Sequence, residues 1–385
     1  KKKAMLENFS CNIVMGAIQV ALVTILLSLE ATTVVLGDDK KPIPASKSEL
    51  DSWFKQNVKQ LNKRESTLDP ALYAAEKGVK VIKVRKDGKG DFKKITDAVN
   101  SVPNGNTRRV VISIGPGQYK EKITIDRSKK FVTLYGDPES RPTLVFDGTA
   151  AKYGTVDSAT LITLADYFTA ANLIIKNSAP RPDGKKKGAQ AVALRVSGDK
   201  SAFYNCRIIG YQDTLCDDRG YHFFKDCYIE GTVDFIFGSG TSLYLTTELH
   251  VIGNNGIAVI TAQARESDTE KTGYSFVHCK VTGNGRHAYL GRAWQTRPRV
   301  VYAYTTLSNA INPQGWSDNA HPERHNTVFY GEFKNLGLGS NKVGRVKYSK
   351  ELTYNQVKPY ISLGYIKGSS WLLPPPKAQY SYSIK

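Results

Sequence analysis

Two aspartates stand 21 residues apart in otherwise apolar text. Asp213 lies in GYQDTLC (210–216), and Asp234 lies in GTVDFIFGSG (231–240) between Val233 and Phe235. A carboxylate among such neighbours is costly to bury unless it is paired or hydrogen-bonded. Two carboxyl groups held close together cannot both ionise easily, so their pKa values separate. One stays an anion that can attack; the other keeps a proton that it can donate. Gln212 adjoins Asp213, and Gln190 opens QAVAL (190–194). Their amide N–H groups are neutral donors, and two such donors aimed at one point make an oxyanion hole, a requirement of acyl transfer. Arg292, in LGRAW (290–294), can hold a carboxylate in its ionised form through a bidentate pair. Trp294 and Trp316 are candidate sugar platforms. Each of these residues also has an ordinary role: a turn for Asp, a polar ladder for Gln, a surface charge for Arg, packing for Trp. The shared interval of the two aspartates shifts the weight towards chemistry.

The elements that would position these groups are strands. From Val79 onward, short β-branched and aromatic runs such as KVIKV, RRVVISI and KFVTLYG alternate with Gly, Asp and Asn turns, the texture of a strand-rich chain. An internal repeat sharpens this. SAFYNCRIIG (201–210), HFFKDCYIEG (222–231) and YSFVHCKVTG (274–283) share Phe, then Cys three later, an aliphatic two further on, and Gly two beyond that. DYFTAANLII (166–175) reads as a looser copy with Ala171 in the Cys place. Repeats of this length suggest stacked coils, and an all-β right-handed parallel β-helix fits best. The interval from Cys206 to Cys227 is also 21 residues, so Asp213 and Asp234 should sit on one face, one rung apart. Cys206, Cys227 and Cys279 then occupy equivalent places on their coils and read as buried thiols. A Cys206–Cys227 bridge is compatible with a strand spacing of ~4.8 Å. Cys216 completes the four cysteines after Cys11, and no CxxC pair suggests zinc.

Composition sets the compartment and partner class. The 385 residues carry 54 Lys and Arg against 35 Asp and Glu, a formal charge of +19. Such an excess attracts a polyanion: nucleic acid, anionic lipid or acidic polysaccharide. Lys1–Lys3 precede an uncharged run, residues 12–29, followed by small residues. This pattern reads as a secretory signal over about 1–37, with a membrane anchor as the competing reading. Secretion favours acidic polysaccharide over nucleic acid. Residues 38–78 form a polar leader with one short amphipathic helix expected within 48–62, capped by Ser48 or Ser52. A catalytic domain follows over 79–372, then a tail over 373–385.

GQYKE (117–121), QAVAL, YQDTL (211–215), DFIFG (234–238) and LGRAW resemble, in order and spacing, the five signature segments of plant pectin methylesterases. The resemblance covers about residues 80–372 and implies a β-helix that demethylates homogalacturonan in the cell wall. It implies Asp234 as nucleophile, Asp213 as general acid then base, Gln190 and Gln212 as oxyanion donors, and Arg292 as the residue orienting Asp234. Phe237, Trp294 and Trp316 would line the sugar cleft. It implies no cofactor or metal, a monomer, and a proteinaceous pectin methylesterase inhibitor as a candidate partner. The leader is shorter than the inhibitor-like pro-domain of some plant members. Two positions depart from the pattern: Ala293 replaces a usual proline, and Cys216 replaces an aromatic that contacts substrate in many members. A polygalacturonase or pectate lyase on the same scaffold would also use carboxylates, but its signature patterns do not stand out here. A non-enzymatic wall-binding protein is disfavoured by the intact polar set.

Overall fold

Three short strands make each coil. Ser201–Tyr204, Arg207–Ile209 and Leu215–Asp217 form one turn of the stack. Tyr221–Lys225, Tyr228–Gly231 and Ile236–Gly238 form the next. The pairing is parallel and in register: Phe203 opposite Phe224, Ile208 opposite Ile229, Leu215 opposite Ile236. Repeating this unit gives three parallel sheets of 11, 8 and 6 strands, a right-handed parallel β-helix. The computed structural model describes residues 38–253 and 256–377. The expected signal over 1–37 lies outside the described residues, as does the tail beyond 377. Among the described residues, no helix is long and apolar enough to cross a membrane.

The repeat is denser than the sequence reading found. Tyr244 pairs with Phe224 on one side and Phe276 on the other, so a further coil stands between the second and third copies. Thr247 takes its cysteine place, which hid it. The loose copy is also offset by two. Ala170 pairs with Phe203 and Ile174 with Arg207, which puts Leu173, and not Ala171, level with Cys206. All four described cysteines are free and buried.

Inside the coil an aromatic column runs along the axis. Phe203, Phe224, Tyr244, Phe276 and Tyr302 stack at centroid separations of 4.7, 4.6, 4.5 and 4.6 Å. The strand spacing sets this interval, because the rings ride on paired residues. One corner of the stack is a single left-handed residue per coil: Asn172, Asn205, Asp226, Thr246, His278 and Tyr304, with φ of 50–58°. Asn and Asp tolerate that conformation best. Asn205 Nδ2 donates to Asn172 Oδ1 at 2.8 Å, and Asn172 Nδ2 to the Gly136 carbonyl at 3.0 Å, tying successive corners together.

The leader is part of the packed body. Its helix, Leu50–Asn57, begins after Glu49 with no side-chain cap, so neither serine serves as one. A second helix, Pro70–Lys77, was not anticipated. The long sheet presents an apolar outer face that includes Val111, Phe223, Leu243 and Val301, and Trp53, Phe54 and Leu72 cover it together with Ile361, Ile366 and Trp371. A sheet apolar on both faces must be covered on both, so residues 38–78 do not lie apart from the β-helix.

Replacing one ring of the inner column should be severe. Phe224 is fully buried between two stacked neighbours, so Phe224→Ala is expected to cost about 3–5 kcal/mol. Urea unfolding checks this; a loss below about 1 kcal/mol would show that the column collapses around the gap.

Candidate active site

The six-stranded sheet carries the site at its entry corner. Asp213 and Asp234 each stand two residues before paired positions, Leu215 and Ile236. They are therefore stacked one rung apart, roughly 4.8 Å along the axis. Both have left-handed backbones, φ 63° and 50°. Backbone strain of this kind, of order 1–2 kcal/mol for an L-residue, persists only where the surroundings over-determine it. Here the ladder does so: Ala191 N–H donates to Gln212 O at 3.2 Å, and Asp213 N–H to Val233 O at 3.1 Å. Gln190 accepts from Ala150 N–H at 2.8 Å through its own carbonyl. Gln190, Gln212, Asp213 and Asp234 thus line one corner over three successive coils.

The two carboxyl groups are not equivalent. Arg292 Nε donates to Asp234 Oδ1 at 2.8 Å, and its Nη2 donates to Oδ2, a bidentate pair. Asp213 has no such partner. Both are nearly enclosed, 8% and 6% exposed. Burial lifts the Asp213 pKa well above the ordinary carboxylate value, and the Asp234 charge lifts it further, with the Arg292 charge opposing them. Burial also raises the Asp234 pKa, but there the hydrogen bond and charge of Arg292 oppose it directly. The Arg292 pair favours the ionised form of Asp234, and burial beside that charge favours the protonated form of Asp213.

The amide groups differ in setting. Gln190 and Gln212 are half-buried, and Gln190 Oε1 is buried without a hydrogen-bond partner. A buried polar atom left unpaired is costly, and such atoms mark sites that bind or react. Trp294 is 49% exposed and lies against the Arg292 guanidinium at 5.1 Å, so one ring face remains open. Phe237 is half-buried and packs against the cluster that holds Cys216. Cys216 pairs directly with Phe237 across the sheet and is itself buried.

Trp316 corrects the sequence expectation. It is fully buried, stacked on Tyr330 at 4.3 Å, and its Nε1 donates to Glu332 at 3.3 Å. Arg345 Nε anchors that buried carboxylate at 2.8 Å. The indole fills the core and offers no face to a sugar. One residue escaped the sequence reading: Asn319 Oδ1 accepts from Arg292 Nη1 at 2.9 Å, which fixes the far side of the guanidinium. Only its turn-like SDNA context hinted at it. The first motif is structural, since Glu121 accepts from Ile95 and Thr96 backbone N–H groups at 3.0 and 2.8 Å and caps the Ile95–Asn100 helix.

The family model described as pectinesterase matches residues 81–369. The chain belongs to the pectinesterase family. An Arabidopsis thaliana relative, number 63 in that plant's pectinesterase series, is 59% identical over 92% of this chain and 97% of its own length. Pectinesterase 1 of Olea europaea is 54% identical over 93% of this chain and 97% of its own. The solved pectin methylesterase from carrot superposes with a TM-score of 0.70 at 31% identity, covering 76% of this chain and 94% of that one. This chain is an enzyme of the pectinesterase class, a carboxylic ester hydrolase.

A pectinesterase that buries Asp213 gives up stability for it. A carboxyl group whose folded pKa is raised binds protons more tightly when folded, so its stabilising contribution is complete below the unfolded pKa and is lost as pH rises through the folded pKa. Asp213→Asn removes that loss. Thermal melts over a pH series should show the variant equal to the parent near pH 3 and increasingly more stable above about pH 4, the ordinary carboxylate range. A constant difference at all pH values would contradict the assignment.

Proposed function

We propose that the protein hydrolyses the C6 methyl esters of homogalacturonan through a covalent intermediate on Asp234. The Asp234 carboxylate attacks the ester carbonyl. Gln190 and Gln212 donate their amide N–H groups to the oxyanion of the tetrahedral intermediate. As that intermediate collapses, Asp213 gives its proton to the departing methoxide, and methanol leaves. The acyl-enzyme is a mixed anhydride. Asp213, now an anion, takes a proton from water; the hydroxide attacks the anhydride carbonyl, restoring the Asp234 carboxylate and freeing galacturonic acid, which loses its proton to solvent. Asp213 ends protonated, so the cycle closes with one water consumed and one methanol formed.

The observation that carries this reading is the asymmetry of the stacked pair: one carboxylate held bidentate by arginine, the other buried without a cation. Acid–base roles follow from environments that push two pKa values apart. The Asn319–Arg292 contact holds the arginine, and the exposed face of Trp294 supplies a surface for a pyranose ring. Phe237 adds an apolar edge. Export from the cell and action in the cell wall rest on the uncharged run 12–29 and the net charge of +19. A monomer, with a proteinaceous pectin methylesterase inhibitor as its partner, completes the reading.

Asp234→Asn should abolish methanol release from methylated pectin while the protein keeps its circular-dichroism spectrum and melting behaviour; turnover like that of the parent would remove Asp234 from the nucleophile role. Loss of one oxyanion donor typically lowers kcat by about 10²–10³. Gln190→Ala and Gln212→Ala are each expected in that range with little change in KM, measured by initial rates; a rise in KM alone would make them binding residues.

Because Arg292 opposes the upward shift of the Asp234 pKa, Arg292→Lys should move the acidic limb of the kcat/KM profile to higher pH. An unmoved acidic limb, with only the plateau lowered, would mean that the limb reports another group.

A further inference from the structure

We propose that Cys206 and Cys227 form a reversible dithiol–disulfide site, oxidised by hydrogen peroxide that enters at the adjoining corner of the stack. The inference needs no part of the reaction proposed above. Ladder pairs on either side, Tyr204 with Lys225 and Arg207 with Tyr228, hold the two cysteines level on neighbouring coils. Tyr228 N–H donates to Cys206 O at 2.9 Å. Their Cα atoms are thus one rung apart, ~4.8 Å, inside the range of about 4.4–6.8 Å that a disulfide spans. The two thiols interact directly. Among the described cysteines no other pairing is open to them. Cys279 is level with Thr247, which is itself level with Cys227. Cys279 therefore lies two rungs away, roughly 9.6 Å, and no bridge closes beyond about 7 Å. Cys216 stands on the six-stranded sheet, in a separate cluster with Ala159, Ile162 and Val192.

The pair is also set up to react. A cavity of about 290 Å³ adjoins both cysteines and is lined by Arg141, Asn205, Asp226 and Thr246. Asp226 is exposed, so the cavity reaches solvent, and it has room for a molecule the size of hydrogen peroxide. Arg141 Nη2 donates to Asn205 Oδ1 at 2.7 Å, while its Nε is buried without a partner. Burial disfavours the Cys206 thiolate, yet the hydrogen bond from Cys227 and the charge of Arg141 bring the Cys206 pKa below the ordinary thiol value. Burial pushes the Cys227 thiol well up, so it holds its proton. Burial alone governs Cys279, which has no thiol beside it and is pushed up to about 12. An acidified thiol next to a resolving one is the arrangement of redox-active cysteine pairs. The Cys206 thiolate attacks one peroxide oxygen; the O–O bond breaks, leaving a sulfenic acid and hydroxide. The Cys227 sulfur then displaces the sulfenic oxygen as water, and the S–S bond forms. The hydroxide takes up the proton that Cys206 had released, so two thiols and one peroxide give one disulfide and two waters. Each cysteine precedes a candidate catalytic acid by seven residues, Cys206 before Asp213 and Cys227 before Asp234. The bond staples the two coils that carry the acids and leaves their ladder spacing as it was.

Brief treatment of the whole protein with hydrogen peroxide, then thiol alkylation and tryptic mass mapping, tests this. Cleavage after Lys200, Arg207, Arg219 and Lys225 puts Cys206, Cys216 and Cys227 on different peptides. The expected product is one linked pair, Cys206 with Cys227, lighter by two hydrogens and reversed by dithiothreitol. The oxidised protein should melt about 3–6 °C above the reduced one, since the bond closes a loop in the unfolded chain. In Cys227→Ser, Cys206 should stop at the sulfenic acid and be captured by dimedone, and peroxide should no longer raise the melting temperature. Cys279→Ser should link and melt as the parent does. Mapping of the parent chain alone decides the linkage, whether or not the variants fold well. A principal linkage through Cys216 or Cys279, unlinked Cys206 and Cys227 after treatment, or one melting temperature for both forms would each overturn the proposal.

Discussion

The hydrogen-bond ladder between coils is the constraint on which the rest depends. Parallel strands pair at one spacing, roughly 4.8 Å, and nothing in a side chain can change it. Once Leu215 is paired with Ile236, the separation of Asp213 and Asp234 along the axis is set. The same ladder sets the spacing of the aromatic column inside the coil. It also decides which rung a long side chain must reach from: Arg292 belongs to a later coil and extends back to Asp234. Arg is suited to that reach because its fork meets both carboxylate oxygens. A fold that allowed strands to slide would lose the paired acids, the stacked rings and the arginine together.

Holding two acids at that distance has a cost, and the structure distributes it unevenly. Asp234 receives the cation; Asp213 receives burial and a negative neighbour. The left-handed backbone at both positions and the unpaired Gln190 oxygen add to the same account of stored strain. Elsewhere in the stack, one buried ionisable cluster is satisfied by its own hydrogen bonds. Asp217 accepts from His222 and from Tyr244 Oη at 2.6 Å, and His222 Nε2 donates to Gly198 O at 3.1 Å. Burial works against the imidazolium, yet the Asp217 charge and hydrogen bond raise the His222 pKa. The contrast separates a buried ion pair that rigidifies the core from a carboxyl pair left under-satisfied where chemistry is proposed.

Much of this was legible in the chain because a coil repeats its chemistry. Phe203, Phe224 and Phe276 announce the column, and the 21-residue interval relates the acids before any coordinates are seen. Legibility failed where the repeat tolerates substitution. Thr247 packs in a cysteine place and concealed a whole coil. In the early coil, Ala170 stands where later coils carry a ring, so the pattern slipped by two. Trp316 looked like a sugar platform because aromatic residues serve both surfaces and cores; only the Glu332 carboxylate and Tyr330 ring decide its orientation. Asn319 had no signal beyond a turn, since its role arises from a contact with an arginine 27 residues away. The leader read as polar because its few apolar side chains are spread over two short helices.

The segments flanking those leader helices tie the start of the described chain to its carboxyl-terminal part. Ile43 N–H donates to Ile361 O at 2.6 Å, Arg64 Nη1 to Leu372 O at 3.1 Å, and Ser369 Oγ to Asp39 at 2.6 Å. Each contact joins segments some 300 residues apart, with the entire coil stack between them. During synthesis the stack can grow rung by rung, each coil templated by the one before it. The clasp across the long sheet cannot close until residues 361–372 have left the ribosome. Until then the part of the outer face that Ile361, Ile366 and Trp371 cover remains open to water, with transiently exposed apolar surface of the kind that chaperones bind. Closing the clasp is therefore a long-range event that must follow synthesis of both segments, however early the coils between them have stacked.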